Sequence, residues 1–239
     1  VGEQIHTIER RGKYLIFLLD HWAMVSHLRM EGKFTVTKTG EPYEKHTHVV
    51  FHLSDNRDLR YLDVRKFGRF SLMPIDKKEN YGPIQKLGPE PTTSQFSLEN
   101  FQEKLSRTQR AIKAVILDQH IVAGVGNIYA DESLFRAQIN PMKPANQLNK
   151  GETARLREAI ITVIANAVEA GGTTIRTYKN TLGEAGKFQV ALNVYGKTNE
   201  ACPRCGTPIE KTKVAQRGTH YCPKCQGSIA RYEKKGPAG

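Results

Sequence analysis

Cys202-Pro203-Arg204-Cys205 and Cys222-Pro223-Lys224-Cys225 contain every cysteine of the chain, in two C-x-x-C pairs separated by 16 residues. Two thiolate pairs at that spacing close a tetrahedral Zn²⁺ site from two knuckles of a β-hairpin. With four protein sulfurs the metal keeps no open position for water or substrate, so one structural Zn²⁺ is expected rather than a catalytic one. Two disulfides are the other pairing open to these residues, although no hydrophobic signal segment is visible. What the metal would build is the hairpin from Glu210 to Tyr221, whose segment Lys211 to His220 is basic and suits a phosphate backbone.

A second feature is Gly124-Val125-Gly126-Asn127. Asn127 can cap a helix from Ile128 to Phe135, and the two glycines let backbone amides at that helix start approach a phosphate. A tight connection between helices is the plainer reading of the same residues.

Composition supports a polyanionic partner. The 239 residues hold 36 Lys+Arg against 24 Asp+Glu, a formal net charge of +12. An excess on this scale is the footprint of a nucleic-acid binder. A membrane surface would attract the same charge, but no basic amphipathic helix with a broad apolar face and no apolar run near the ~20 residues of a spanning helix is present. A soluble, cytoplasmic protein is expected.

These residues need elements to hold them. Gln4 to Glu9 alternates, Lys13 to Leu19 is apolar on both faces, and further strands are expected at Ala23 to Leu28, Lys33 to Thr37, His48 to Leu53 and Leu59 to Val64. Ser54-Asp55-Asn56-Arg57 reads as a hairpin loop between the last two. The chain opens inside a sheet, and a missing amino-terminal segment is expected. After Gly82-Pro83 to Gly88-Pro89-Glu90-Pro91 the period becomes helical. Ser97 is an N-cap for a helix with Leu98, Phe101 and Leu105 on one face, and Arg110 to Asp118 carries a second. A longer helix from about Glu152 to Glu169 ends at Gly171-Gly172.

Six strings now become specific together: Glu9-Arg10-Arg11-Gly12-Lys13-Tyr14, His27-Leu28-Arg29-Met30-Glu31-Gly32, Asp63-Val64-Arg65-Lys66-Phe67-Gly68, Leu87-Gly88-Pro89-Glu90-Pro91, Gly126-Asn127-Ile128-Tyr129-Ala130-Asp131-Glu132 and Gln216-Arg217-Gly218-Thr219-His220-Tyr221-Cys222. In this order, and joined to a zinc hairpin, they closely resemble bacterial formamidopyrimidine-DNA glycosylase from Val1 to about Gln226. The resemblance implies an α+β protein of several lobes. These are a β-sandwich lobe over 1–82, a linker and helix-two-turn-helix lobe over 83–195, a zinc finger over 196–226 and a disordered tail over 227–239. It implies a monomeric enzyme acting on double-stranded DNA, which excises oxidised purines such as 8-oxoguanine and formamidopyrimidines and then nicks the strand at the abasic site.

Residue by residue, the resemblance gives Lys13 the part of a proton donor near the sugar and Arg217 that of a clamp on the lesion phosphates. Met30, Arg65 and Phe67 match residues that fill the hole left by a flipped nucleotide, with Arg65 reaching the orphaned base. Met30 and Phe67 could equally be core side chains, but their glycine and charged neighbours are loop context. His46 and Asn127 match backbone-contacting positions, Lys113 is a further candidate for phosphate contact, and loop 173–186 would close over the extruded base. The family also implies a mature Pro-Glu-Leu-Pro-Glu start whose proline amine attacks the sugar. Position 1 here is Val, so a truncated and, as it stands, inactive chain is expected. An endonuclease VIII-type glycosylase for oxidised pyrimidines, and a non-enzymatic zinc-ribbon DNA-binding protein, are the alternatives.

Overall fold

The structure, a computed structural model, describes residues 1–171, 192–228 and 232. Loop 173–186 and most of the expected tail lie outside the described residues. The chain divides into two compact units, Val1–Gln85 with Ala167–Ala191, and Lys86–Asn166 with Leu192–Gly239.

The first unit is a β-sandwich. Strands β1 (Thr7–Arg11), β2 (Tyr14–Leu18), β3 (Trp22–His27) and β7 (Arg69–Pro74) form one antiparallel sheet in the order β1-β2-β3-β7. Strands β4 (Lys33–Lys38), β5 (Thr47–His52) and β6 (Arg57–Leu62) form the other, in the order β4-β6-β5. Alternation of large apolar side chains decides which faces meet. Phe17, Met24 and Phe70 from the first sheet pack on Phe34, Leu59 and Tyr61 from the second. Aromatic edges supply much of the contact, with Tyr61 and Phe70 ring centroids 4.8 Å apart and Phe17 and Phe34 5.3 Å apart.

The chain changes sheets twice, between β3 and β4 at residues 28–32 and between β6 and β7 at residues 63–68. Strand β7 does not stand out in the sequence because it ends on Pro74. It is an edge strand, where a missing N–H leaves no ladder partner unsatisfied. The first strand begins three residues later than alternation suggests, at Thr7.

The second unit is helical. Helix α1 (Gly82–Gln85) closes the first unit, and α2 (Leu98–Ser106), α3 (Ile112–Ile116), α4 (Asn127–Ala137) and α5 (Lys150–Glu169) follow. Ser97 caps α2 as expected, its side chain accepting from Asn100 N at 3.3 Å. Helix α5 starts earlier than its apolar period because of a reciprocal cap. Glu152 N donates to Asn149 Oδ1 and Asn149 N donates to the Glu152 carboxylate, both at 2.9 Å. The core of this unit joins Phe101, Leu105, Ile112, Val115, Ile116, Leu134, Leu156 and Ile160, all buried. Strands β8 (Glu210–Val214) and β9 (Arg217–Tyr221) make the expected hairpin, with Val214 opposite Arg217. No helix among the described residues is long and apolar enough to cross a membrane.

Candidate nucleic-acid interface

In the first unit the candidate residues collect on turns. Arg11 pairs with Tyr14, so Gly12 and Lys13 are the two central residues of the β1–β2 hairpin, and Gly12 takes φ +57°, the positive value that such a turn needs at its first central position. Lys13 is therefore displayed at a hairpin tip. Behind it His27 is half-buried, its ring 4.7 Å from that of Tyr14 and its Nδ1 accepting from Arg29 N at 3.0 Å. Burial, then the charges of Arg29 and Lys13, push the His27 imidazole down to about 4.

Met30 and Phe67 are not core side chains. They are 73% and 54% exposed, each at the tip of one of the two sheet-changing loops. The residue before each, Arg29 at φ 58° and Lys66 at φ 57°, lies in the left-handed region that side chains with a Cβ enter at a cost of order 1 kcal/mol. Two separate loops thus carry strain at the same step before an exposed apolar side chain. Arg65 joins them, with Nη1 3.1 Å from Met30 Sδ and its guanidinium 4.9 Å from the Phe67 ring centroid. His46 also has a left-handed φ, 70°, and its carbonyl accepts from Asp63 N at 3.1 Å, so its loop is bonded to the base of the Arg65 loop.

In the second unit the four cysteine sulfurs converge. Cys202 and Cys225 Sγ lie 3.9 Å apart, Cys205 and Cys222 Sγ 3.5 Å apart, and the four ligand atoms all fall within 4.8 Å of one another. Four sulfurs at ~2.3 Å from a tetrahedral Zn²⁺ stand about 3.8 Å apart, so the donor set fits that ion. The disulfide alternative is removed, because these separations far exceed the ~2.05 Å of a sulfur–sulfur bond and all four cysteines are free. The knuckle turns bring amides to the sulfurs, with Arg204 N 3.4 Å from Cys202 Sγ and Cys225 N 3.4 Å from Cys222 Sγ.

The finger is bonded along its length to α4. Arg204 donates to the carbonyls of Phe135 (2.9 Å) and Arg136 (3.1 Å) at the end of that helix and stacks 4.6 Å from the Phe135 ring centroid. Gln226 Nε2 donates to Ile139 O at 3.0 Å, and Asn140 Nδ2 to Gly227 O. The Glu132 carboxylate accepts from the amides of Asn193, Val194 and Tyr195, each at 2.9 to 3.0 Å.

The hairpin turn is Ala215-Gln216, both at positive φ (48° and 60°), the combination a two-residue type I′ turn demands. Arg217 follows it. Beneath Arg217, Lys113 corrects an expectation. Its side chain is fully buried, so it does not reach a phosphate; Nζ donates to Gly218 O (2.9 Å) and Thr219 Oγ1 (2.7 Å) and pairs with the Asp131 carboxylate at 2.6 Å. Burial pushes the ammonium below the ordinary lysine range; Asp131 pulls it back up and nearby Arg217 pushes it further down. Asn127 also differs from the expected cap. Helix α4 begins at Asn127 itself, Gly126 holds the N-cap position, and Asn127 Nδ2 donates to Gly218 O at 3.0 Å. Gln119 pins the loop before it, donating to Leu117 O and Val125 O and accepting from Gly124 N.

Sequence reading missed Asp131, whose Oδ2 also accepts from His220 N at 2.9 Å. A signal was present: Lys113 interrupts the otherwise apolar helix α3, and a cation at such a position needs a buried anion elsewhere.

A β-sandwich whose turns display Lys13, Met30 and Phe67, and a helical unit carrying a four-cysteine finger with Arg217 just past its hairpin turn, define a zinc-finger protein of the nucleic-acid-binding class. The comparisons with known proteins narrow the class. Residues 1–70 match the formamidopyrimidine-DNA glycosylase N-terminal domain, residues 87–179 the H2TH domain of the same enzymes, and residues 199–227 the zinc finger found in FPG and IleRS. Formamidopyrimidine-DNA glycosylase of Enterococcus faecalis is 60% identical over 225 residues, 94% of this chain and 80% of the relative. That of Geobacillus kaustophilus is 54% identical over 95% of this chain and 82% of its own length. A Lactococcus lactis FPG variant solved with DNA containing Fapy-dG superposes with a TM-score of 0.90 at 47% identity, covering 95% of this chain and 83% of that one. MutM in complex with DNA containing carbocyclic 8-oxo-G gives 0.89 at the same identity and coverage. The chain belongs to the formamidopyrimidine-DNA glycosylase family.

Proposed function

We propose that this protein is a base-excision repair glycosylase for oxidised purines, 8-oxoguanine and formamidopyrimidines among them, with an accompanying lyase step at the abasic site. The observation that carries the reading is the triad Met30, Arg65 and Phe67, exposed on two strained loops and bonded together through Arg65. An apolar pair with a guanidinium between them suits insertion into a base step, the apolar groups replacing the lost stacking and the arginine hydrogen-bonding the widowed base.

In this reading Lys13 at its hairpin tip gives and takes protons near the sugar, and Arg217 grips lesion phosphates through a fixed fork of donors. His46 and Asn127 contribute backbone contacts, while Lys113 supports the hairpin strand that carries Arg217. The zinc ion, when bound, supplies the folding energy of the finger, and the cysteines take no part in the reaction. A chromosomal substrate places the protein, acting as a monomer, in the bacterial cytoplasm. Division at about residues 82, 195 and 226 follows the same reading.

The attack on the sugar needs a nucleophilic amine, which the family resemblance assigns to the proline of a Pro-Glu-Leu-Pro-Glu segment. Borohydride trapping on an 8-oxoguanine duplex tests this reading. A protein carrying that amine should become covalently linked; no linkage, with tight salt-sensitive binding retained, would favour a binding module. Preferential trapping on an oxidised-pyrimidine duplex would favour the endonuclease VIII-type reading.

A further inference from the structure

The Tyr61 hydroxyl occupies an unusual place. Its ring belongs to the sandwich core, buried and packed on Phe34 and Phe70 at centroid distances of 5.5 and 4.8 Å. Its oxygen points out of that core, between the backbones of the two sheet-changing loops. A Cβ on Gly32, the last residue of the Met30 loop, would lie 2.5 Å from this oxygen; a Cβ on Gly68, the last residue of the Phe67 loop, would lie 1.6 Å from it. Neither glycine has a left-handed φ, so space and not backbone freedom explains why both positions lack a side chain: the phenol fills it at Gly68, and at Gly32 the phenol shares it with the Leu28 carbonyl, also 2.5 Å from where a Cβ would lie.

The hydroxyl donates to Asp63 Oδ2 at 3.0 Å. Asp63 in turn uses every polar atom it has. Its N donates to His46 O (3.1 Å), its O accepts from His48 Nε2 (2.8 Å), Oδ1 accepts from Arg65 N (3.0 Å) and Oδ2 also accepts from Gly68 N (2.8 Å). Burial raises the affinity of this carboxyl for its proton, but the bonds from Gly68, Tyr61 and Arg65 outweigh it and hold the group below the ordinary aspartate range. Asp63 thus defines both ends of the loop bearing Arg65 and Phe67, and Tyr61 fixes that loop against the one bearing Met30. A buried hydroxyl gives the core little that phenylalanine would not, because desolvation offsets most of what its hydrogen bond returns.

We propose that Tyr61 and Asp63 are positioning residues that set the spacing between Met30 and the Arg65–Phe67 pair, and through it the discrimination of the base opposite the lesion. The proposal rests on the reading of those three residues as the wedge. The test uses the full 239-residue chain and needs no chemistry. Duplexes carry a tetrahydrofuran abasic analogue opposite cytosine or adenine, with 2-aminopurine placed opposite in a third duplex to report stacking of the orphaned base.

Tyr61→Phe should leave the melting temperature and the affinity for undamaged duplex near those of the parent, while the cytosine-to-adenine affinity ratio falls about three- to tenfold and the 2-aminopurine signal changes. Asp63→Asn, which cannot accept from Arg65 N, Gly68 N and Tyr61 together, should move both readouts in the same direction and further. Phe67→Ala separates the two ideas. If it alters ratio and fluorescence while Tyr61→Phe and Asp63→Asn do not, the positioning role is overturned and the wedge stands. If Phe67→Ala itself leaves both unchanged, the wedge reading fails. A uniform loss of affinity on all duplexes in Tyr61→Phe, tracking its melting temperature, would also overturn the proposal by reducing the hydroxyl to a stability element.

Discussion

The Lys113 ammonium stands 2.6 Å from the Asp131 carboxylate, both side chains fully excluded from solvent, and together they support Gly218, Thr219 and His220 immediately after Arg217. Removing one partner of a buried pair leaves the other charge uncompensated, which costs ~3–5 kcal/mol. Lys113→Ala should therefore lower the stability of the helical unit by that order in a denaturant titration. Lys113→Met combined with Asp131→Asn should recover much of the loss, because no lone charge remains; equal losses in the single and double variants would show that the pair is not coupled.

Arg65 should separate specificity from strength. Since its guanidinium is held between Met30 and the Phe67 ring, Arg65→Ala is expected to reduce opposite-base discrimination more than bulk affinity. Binding curves on lesion duplexes with each opposite base decide the matter. Equal loss on all of them would reassign the residue to the phosphate backbone.

Cys222→Ser removes a buried member of the sulfur set that also packs with Val194, Ile209 and Phe135. Zinc content should fall from about one ion per chain towards none, and duplex affinity should fall with it. The apolar core of α2 to α5 does not include the cysteines, so helical circular dichroism and a cooperative melt should survive. Full affinity in the metal-free variant would contradict a finger built by the ion.

Acidification should act through His27. A base whose folded pKa lies below its unfolded value costs the folded state only where the unfolded chain takes up the proton. With a folded value of about 4 against an ordinary value of 6.5, there is no effect above about pH 6.5, and stability is lost as pH falls from there towards 4. The difference in unfolding free energy between the parent and His27→Gln, followed across that window, isolates the effect; a ring that titrates near 6.5 by NMR would contradict it.

Salt should weaken duplex binding steeply, as the net charge of +12 requires. If Lys13 and Arg217 each neutralise one phosphate, Lys13→Ala and Arg217→Ala should each reduce the slope of log affinity against log salt by about one. An unchanged slope in either variant would remove that residue from the interface.

Much of this was legible in the residues, and for identifiable reasons. The cysteine spacing specifies a metal site because ligand chemistry tolerates few alternatives, and strands β2 to β6 were legible as short apolar runs bounded by polar turns. The loop positions of Met30 and Phe67 could be inferred from their glycine neighbours, but the reason for those glycines could not. Gly32 and Gly68 are 36 residues apart and both border the Tyr61 oxygen, a relationship that exists after the sandwich forms. Lys113 misled for the same reason. A lone lysine looks like a surface charge until the helix carrying Asp131 packs beside it. Asn127 looked like a cap because side-chain type alone does not say which residue takes the extended N-cap backbone; here Gly126 does, Asn127 is the first helical residue, and its Nδ2 donates to Gly218 O.

The docking of the finger on α4 bears on how portable it is. Arg204 closes the last carbonyls of a helix that lies outside residues 199–227, and Gln226 and Asn140 tie the second knuckle to the chain just beyond that helix. A peptide of those residues alone would bind its ion with none of these anchors, and grafted onto an unrelated scaffold it would arrive without a fixed heading. The transplantable cassette is the finger together with residues 193–195, whose amides Glu132 holds, and α4 extended to Asn140, a piece that carries its own compass.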